Sequence, residues 1–185
     1  MGLTPIAVAA LALLAERPMH PYEMFQTLLD RHEDRVVKVR PGSLYHAVER
    51  LAAAGLAEVA GTERDGNRPE RTTYRITDTG RGALTARLRD LLRAPAAAYP
   101  EAALGLAEAH NLPRVDVLAD LSQQLDALRA DAAVLAGLIA SVREHDVLEA
   151  YWIEADRALH LRRAEIAWLD TLITRLTDGD LPWPT

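Results

Sequence analysis

Residues 41–55 read Pro-Gly-Ser-Leu-Tyr-His-Ala-Val-Glu-Arg-Leu-Ala-Ala-Ala-Gly, and this stretch decides the fold. Proline is favoured in the first turn of a helix and glycine just past its end, so the stretch predicts a single helix. At ~100° per residue, one face of that helix is apolar and is expected to be buried. It consists of Leu44, Ala47, Val48 and Leu51. His46 and Glu49 then point away from the core, with Tyr45 and Arg50 on the flanks, so the outer face is polar.

Helix, strand and turn signals surround this helix on both sides. Prolines at first-turn positions begin two earlier helices, and two runs rich in β-branched and aromatic residues follow as strands. Asp65-Gly66 lies between the strands and is a strong signal for a hairpin turn. In chain order, the sequence predicts helices from Pro5, Pro21 and Pro41, strands over Leu56–Thr62 and Arg71–Ile76, and a helix capped by Thr77-Asp78.

The order of three helices, a strand hairpin and a helix is that of a winged helix-turn-helix, whose third helix enters the major groove of DNA. The hairpin would be its wing. Four arginines, Arg64, Arg68, Arg71 and Arg75, decorate the hairpin, where guanidinium groups can reach phosphates or the minor groove. The residues predicted to bind DNA are Lys38, Arg40, Ser43, Tyr45, His46, Arg50, Arg64, Arg68 and Arg71.

Several of these residues have a structural alternative. Tyr45 could pack against the wing instead of contacting a phosphate, and His46 could be solvated instead of reading a base. The hairpin arginines could protect an ordinary solvated edge, because charge commonly blocks edge-to-edge strand pairing. Capping explains a serine at a helix start such as Ser43. His20 is interpreted as a capping or packed residue.

The formal net charge of −6 is distributed unevenly along the chain. Residues 1–93 carry 14 Lys and Arg against 12 Asp and Glu, a net charge of +2, whereas residues 94–185 carry 7 against 15, a net charge of −8. A distant acidic region is screened beyond ~10 Å at ordinary salt, and binding to phosphates depends on local positive potential. The acidic half therefore does not exclude a DNA partner.

Three motifs at characteristic spacing resemble the PadR family of regulators. They are His20-Pro21-Tyr22-Glu23, then Pro41-Gly42-Ser43-Leu44-Tyr45 with Val48, Leu51 and Gly55-Leu56, and finally Tyr74-Arg75-Ile76-Thr77 followed by Gly80. Pro21 stands where the family usually has glycine, a departure that concerns the entry into the helix and not the DNA face. The resemblance implies repression of nearby genes, homodimerisation through C-terminal helices and, frequently, release by a small molecule.

The C-terminal half predicts pairing helices independently of this resemblance. Apolar residues alternate three and four residues apart from Leu118 to Val142, which is a heptad seam, and a second seam from Val147 to Leu176 is interrupted by Arg162. The sequence alone leaves open whether the seams pair within one chain or between two. The predicted dimer interface comprises Leu118, Leu121, Leu125, Leu128, Leu135, Ile139, Leu159, Ile166 and Leu169.

Aromatic residues on the second seam suggest a possible effector pocket at this interface, formed by Tyr151, Trp152 and Trp168. The alternative is that they belong to the core, as aromatic residues on leucine-rich helices usually do. The effector itself stays unidentified.

The sequence thus predicts a mainly α protein with four segments. Residues 1–93 form the winged helix-turn-helix, 94–113 a connector with a short helix over Glu101–Ala109, 114–178 a helical, coiled-coil-like dimerisation domain and 179–185 a tail. The tail contains Pro182-Trp183-Pro184, to which no role is assigned.

The expected function is a cytoplasmic, sequence-specific transcriptional repressor that binds double-stranded DNA as a homodimer, with a small-molecule effector and no membrane association. An enzyme is not expected, because glycine-rich phosphate loops, histidine metal motifs and Gly-x-Ser-x-Gly are absent from the sequence. No catalytic residue, metal or cofactor is predicted. The absence of cysteine fits a reducing compartment. The alternative function is a winged-helix protein-interaction module without DNA binding, which would have an acidic or apolar third-helix face.

Overall fold

The computed structural model describes residues 2–63, 71–93 and 101–184, without the side chains of Glu63 and Arg71. The chain divides into two compact units, Met1–Ala97 and Ala98–Thr185. The predicted class is confirmed: the described residues are mainly helical, with a two-stranded antiparallel hairpin in the first unit and long helices in the second. The predicted turn at Asp65-Gly66 lies outside the described residues.

The first unit contains four helices and two strands in the predicted order. They are α1 (Pro5–Glu16), α2 (Pro21–Asp30), α3 (Pro41–Ala53), β1 (Ala57–Glu63), β2 (Arg71–Ile76) and α4 (Asp78–Arg93). A short 3-10 turn, Glu33–Arg35, lies between α2 and α3.

Capping residues set the ends of these helices. The Thr4 hydroxyl accepts a hydrogen bond from the Ala7 amide at the start of α1, and the His20 ring nitrogen Nδ1 accepts one from the Tyr22 amide at the start of α2. The interpretation of His20 as a capping residue is thus confirmed. At the end of α3, Gly55 adopts a φ of 70°, and the Leu56 amide donates to the carbonyl of Leu51 at 2.9 Å. This left-handed glycine closes the helix as the sequence predicted.

The core of the first unit lies between α1, α2 and α3. α1 and α2 contribute leucines and methionine to it, and α3 buries the whole apolar face that its sequence predicts. Burial of this face fixes the rotation of α3, so its opposite face must point to solvent. The fully enclosed side chains of the three helices include Leu11, Leu13, Leu14, Met24, Leu28, Leu44 and Val48.

The hairpin is joined to the start of α2 by two backbone hydrogen bonds. β1 and β2 pair in antiparallel register from Ala57 opposite Ile76, with an irregularity between Val59 and Gly61. On its other edge, Tyr74 of β2 exchanges two backbone hydrogen bonds of 3.0 Å with Met19, just before α2. These bonds attach the base of the hairpin to the start of α2.

The first turn of α4 passes directly over the end of α3. The Thr77 hydroxyl donates to the carbonyl oxygen of Gly55 at 2.7 Å and accepts from the Gly80 amide at 3.0 Å, which confirms Thr77 as a cap of this helix. A Cβ atom at Gly80 would lie 2.0 Å from the carbonyl oxygen of Leu56. Only glycine fits this contact without moving the backbone.

The second unit contains α5 (Glu101–Glu108), α6 (Arg114–Glu144) and α7 (Ile153–Asp178), with 3-10 turns at Ala109–Asn111 and Glu149–Tyr151. α6 and α7 pack against each other as a hairpin around two apolar clusters. Arg162, the interruption in the predicted seam, donates to Asp131 of α6 at 3.0 Å and to Glu165 at 2.9 Å. The arginine therefore connects the two helices.

The predicted dimer-interface residues lie mostly in the packing of α6 against α7. Most of them are buried within a single chain, and their role between subunits stays a prediction. The sequence left this intrachain pairing open as one of two arrangements. Leu118 and Ile166 are half-buried, and the buried members are Leu121, Leu125, Leu128, Leu135, Ile139, Leu159 and Leu169.

Among the described residues, no helix combines the length and hydropathy needed to cross a membrane.

Candidate nucleic-acid interface

The N-terminus of α3 is open to solvent. Pro41, Gly42 and Ser43 are exposed there, and Arg40 is the N-cap residue without a side-chain cap. The explanation of Ser43 as a cap is therefore wrong, because the helix begins two residues before it. The first amides of a helix lack partners within the helix. Those of Gly42 and Ser43 can therefore donate to an anion placed at this end of α3.

Three cationic side chains flank α3 without a carboxylate partner. Lys38 and Arg40 are exposed just before the helix, and Arg50 is exposed in its last turn. Within the described parts of the chain, none of the three enters an ion pair or a side-chain hydrogen bond. Some other exposed arginines of the same unit are paired, such as Arg31 with Glu16 at 2.6 Å. Unpaired cations therefore lie at both ends of α3.

Tyr45 is half-buried, and its ring contacts His20. The ring centroids lie 5.9 Å apart at an interplanar angle of 79°, which is a T-shaped arrangement. Such a contact fixes the direction of the tyrosine side chain. The contact with His20 is not encoded in the spacing of the sequence, because the two residues belong to different helices. A phosphate contact of Tyr45 stays a prediction.

His46 and Glu49 occupy the middle of the outer face and contact each other. The His46 Nδ1 atom lies 3.3 Å from the Glu49 carboxylate, and both side chains are well exposed. Glu49 was not among the predicted site residues, although its spacing of three from His46 on a helix could have indicated the pair. The outer face therefore presents one carboxylate between flanking cations.

The described part of the wing contains only one of the four arginine side chains that the sequence places there. Arg64 and Arg68 lie outside the described residues, and so does the side chain of Arg71. Arg75 is exposed at the base of the wing, where its Nε donates to Glu58 of β1 at 2.8 Å. Of the four predicted wing arginines, the one that is described is thus engaged with a carboxylate.

The predicted effector residues do not converge within one chain. Tyr151 is 77% exposed, whereas Trp152 is 7% exposed and lies under the Arg143 guanidinium at 4.9 Å. Trp168 follows Trp152 by 16 residues along α7, or ~24 Å at 1.5 Å per residue. The core interpretation holds for Trp152, and a single chain does not form the predicted pocket from these three residues.

Comparison with known proteins agrees with this geometry. Residues 10–86 match the family of PadR-like transcriptional regulators. No curated protein sequence matches the chain. Several solved structures share its fold at low sequence identity.

Two of these structures are of Bacillus subtilis PadR. The complex with operator DNA has a TM-score of 0.79 at 18% identity and covers 94% of this chain and 99% of its own. The complex with p-coumaric acid has a TM-score of 0.75 at 16% identity, with coverages of 93% and 98%. The virulence activator AphA of Vibrio cholerae has a TM-score of 0.70 at 18% identity, with coverages of 94% and 99%. At such identities the likeness shows the fold alone.

Proposed function

We propose that the chain, whose residues 10–86 match the family of PadR-like transcriptional regulators, is a sequence-specific, DNA-binding repressor of the cytoplasm. It binds an inverted-repeat operator as a homodimer. A winged-helix module that binds only proteins is the alternative, and the charges around α3 argue against it.

The observation that carries the proposal is the set of unpaired cations around α3, which consists of Lys38, Arg40 and Arg50. A cationic side chain that already binds a carboxylate contributes less free energy to phosphate binding, because the carboxylate must first be displaced. An unpaired cation releases condensed counterions from DNA at no such cost. These residues lie at the two ends of an exposed helix. With the helix in a groove of DNA, they could each contact one of the two phosphate backbones that border the groove.

The mechanism follows from the rotation of α3. With its apolar face buried, the helix presents His46 and Glu49 to the floor of the major groove, and its N-terminal amides face a phosphate. Glu49 can accept a hydrogen bond from the amino group of cytosine, which would contribute to specificity. Arg64, Arg68, Arg71 and Tyr45 are proposed to contact the backbone and set the register.

Homodimerisation is proposed to use the outer face of α7, opposite the face that packs on α6. Ile153, Leu161 and Trp168 are each more than half exposed, and at ~100° per residue they share one side of the helix. Leu159 and Leu169 point to α6 from the other side. Exposed apolar stripes of this kind commonly mark protein interfaces. A two-fold dimer then requires an operator with two-fold symmetry.

A small-molecule effector is proposed to release the operator. The support is a structural relative, since one of the similar structures is a complex with p-coumaric acid. Any such effector must bind one arrangement of the dimer more tightly than the other.

The experiment that tests DNA binding is a titration of a fluorescent mixed-sequence duplex at several salt concentrations. Arg40→Gln should weaken binding and reduce the log-log salt slope by about one unit for each subunit bound. Arg75→Gln is the matched control, because Arg75 already pairs with Glu58; it should change the slope much less. Equal slopes for the wild type and Arg40→Gln would remove the α3 terminus from the interface.

A further inference from the structure

A groove in the second unit is not used by the proposed DNA-binding function. It lies between α5 and α6 and has a volume of about 270 Å³. Small residues, Ala102, Gly105 and Ala109, form one wall, and Val117 and Leu121 of α6 form the floor. Leu106 and Leu112 also line the groove. The floor residues belong to the buried apolar cluster of the hairpin, so the base of the groove is fixed core.

The volume of the groove limits the size of the ligand that it can bind. A dry apolar cavity of ~150 Å³ holds one benzene ring. The groove is larger and is open on one side, so it can accept two fused aromatic rings with a short substituent that reaches water. The alanine and glycine residues of its lining leave room for a flat ring to approach the helix backbone.

A hydrogen bond from the tail reaches Leu112, one of the residues that line the groove. The Trp183 indole Nε1 donates to the carbonyl oxygen of Leu112 at 2.9 Å. Leu181 and Trp183 also pack against the cluster that contains Leu106 and Ala109. The Leu181 amide donates to the carbonyl of Arg175 at 3.1 Å, which ties the tail to α7. The tail, which had no assigned role, therefore helps to fix the position of a residue that lines the groove.

The polar lining determines the charge of the occupant. The two polar side chains that line the groove are Asp120 and Gln124. Within the described parts of the chain, no cationic side chain is paired with Asp120. The surrounding half of the sequence is strongly acidic, with a net charge of −8 over residues 94–185. This potential favours a cation at the rim and disfavours an anion.

We propose that the groove between α5 and α6 binds a small, flat aromatic amine in its protonated form, with the rings on Leu121 and the ammonium group at Asp120. Gln124 offers a further hydrogen-bond acceptor at the rim. Binding depends only on the second unit. A regulatory role for the ligand rests in addition on the proposed DNA-binding function.

Calorimetric titration of the full chain without DNA tests the proposal, with 1-naphthylmethylamine and 1-naphthoate as probes of matched ring size. The protonated amine should bind roughly tenfold or more tightly than the carboxylate, a difference of about 1.4 kcal/mol. Asp120→Asn should remove most of that difference.

Two leucine substitutions on α5 provide a matched pair. Gly105 has no atom within 4 Å of an added Cβ, so Gly105→Leu should fold normally and fill the groove, which would abolish binding of the amine. Ala107 does not line the groove and is exposed, so Ala107→Leu should leave binding unchanged. Undetectable binding of the amine, equal binding of the two probes, or full binding by Gly105→Leu would each overturn the proposal. Because the assay contains no DNA, failure to bind an operator would not affect its outcome.

Discussion

The arginines around α3 differ in their partners from the arginines that link α6 to α7. Arg40 and Arg50 around α3 have no carboxylate partner among the described residues, whereas Arg129 and Arg162 of the second unit bind carboxylates of the opposite helix. An arginine in an existing ion pair stabilises its own fold, and an unpaired one is available to an external anion. The proposed DNA-binding surface therefore depends on where the charge partners lie, more than on the number of basic residues.

The exposure of apolar side chains also differs between α3 and α7. The first unit buries the apolar face of α3 and presents charge outside, whereas α7 buries one apolar stripe and exposes another. The outer face of α3 is thus polar, and the outer face of α7 is apolar. Each prediction below changes one side of this comparison.

Gly80→Ala is expected to have the largest effect on stability. It tests the close contact between the first turn of α4 and the backbone that follows α3. The added methyl group would lie 2.0 Å from the carbonyl oxygen of Leu56, so α4 must move away from α3. The free energy of unfolding should fall by about 3 kcal/mol or more, measured by chemical denaturation. Gly82→Ala is the control in the same helix, because nothing lies within 4 Å of its added Cβ; it should be neutral or stabilising. Equal loss in both variants would refute the close contact.

Substitutions at neighbouring positions of α7 should affect either the stability of the fold or the association of two subunits. Leu169 is buried against α6, so Leu169→Ala should cost about 2–5 kcal/mol of stability. Trp168 is exposed on the outer face, so Trp168→Glu together with Leu161→Glu should keep the fold and yield monomers by light scattering. A dimer that persists in this double variant would place the subunit interface elsewhere.

Tyr45 tests whether the outer face of α3 needs a hydroxyl group. Tyr45→Phe keeps the ring contact with His20 and removes one hydrogen bond, worth about 0.5–1.5 kcal/mol. DNA affinity should therefore fall by up to roughly tenfold at an unchanged melting temperature. If the melting temperature falls and affinity does not, Tyr45 has a packing role alone.

The smallest effect concerns a paired arginine of the first unit. The hydrogen bond from Arg31 lowers the pKa of Glu16 below its ordinary value of 4.5. A carboxyl with a lowered pKa stabilises the fold above its unfolded pKa, and this contribution is lost as the pH falls through the folded pKa. Both side chains are nearly half exposed, so the contribution should stay below about 1 kcal/mol. Glu16→Gln should thus lower stability slightly at pH 7 and leave it unchanged well below pH 4.5, as followed by denaturation. A variant that is less stable by the same amount in acid would contradict this explanation.

The sequence was most informative about the winged-helix unit, because its signals are local. The prolines at 5, 21 and 41 and the glycine at 55 mark helix ends by their backbone restrictions alone. The apolar periodicity of α3 identified its buried face correctly, since helix geometry fixes which residues share a side.

Contacts between elements could not be predicted in the same way. The T-shaped contact of Tyr45 with His20 and the pairing of Met19 with Tyr74 depend on how distant segments pack. The seam of α6 was recognised, but its periodicity is the same whether the partner helix belongs to the same chain or another. The unpaired state of Arg40 was equally invisible, because a sequence does not show where the carboxylates lie.

The most direct test of the central claim is selection of fragments from random duplex DNA by the purified protein at a fixed, moderate salt concentration. The proposal predicts enrichment of an inverted repeat whose half-sites lie about 10–10.5 base pairs apart, or a multiple of this spacing. Recovery of DNA without any enriched sequence, or no recovery of DNA even in dilute buffer, would contradict the assignment of α3 as a recognition helix.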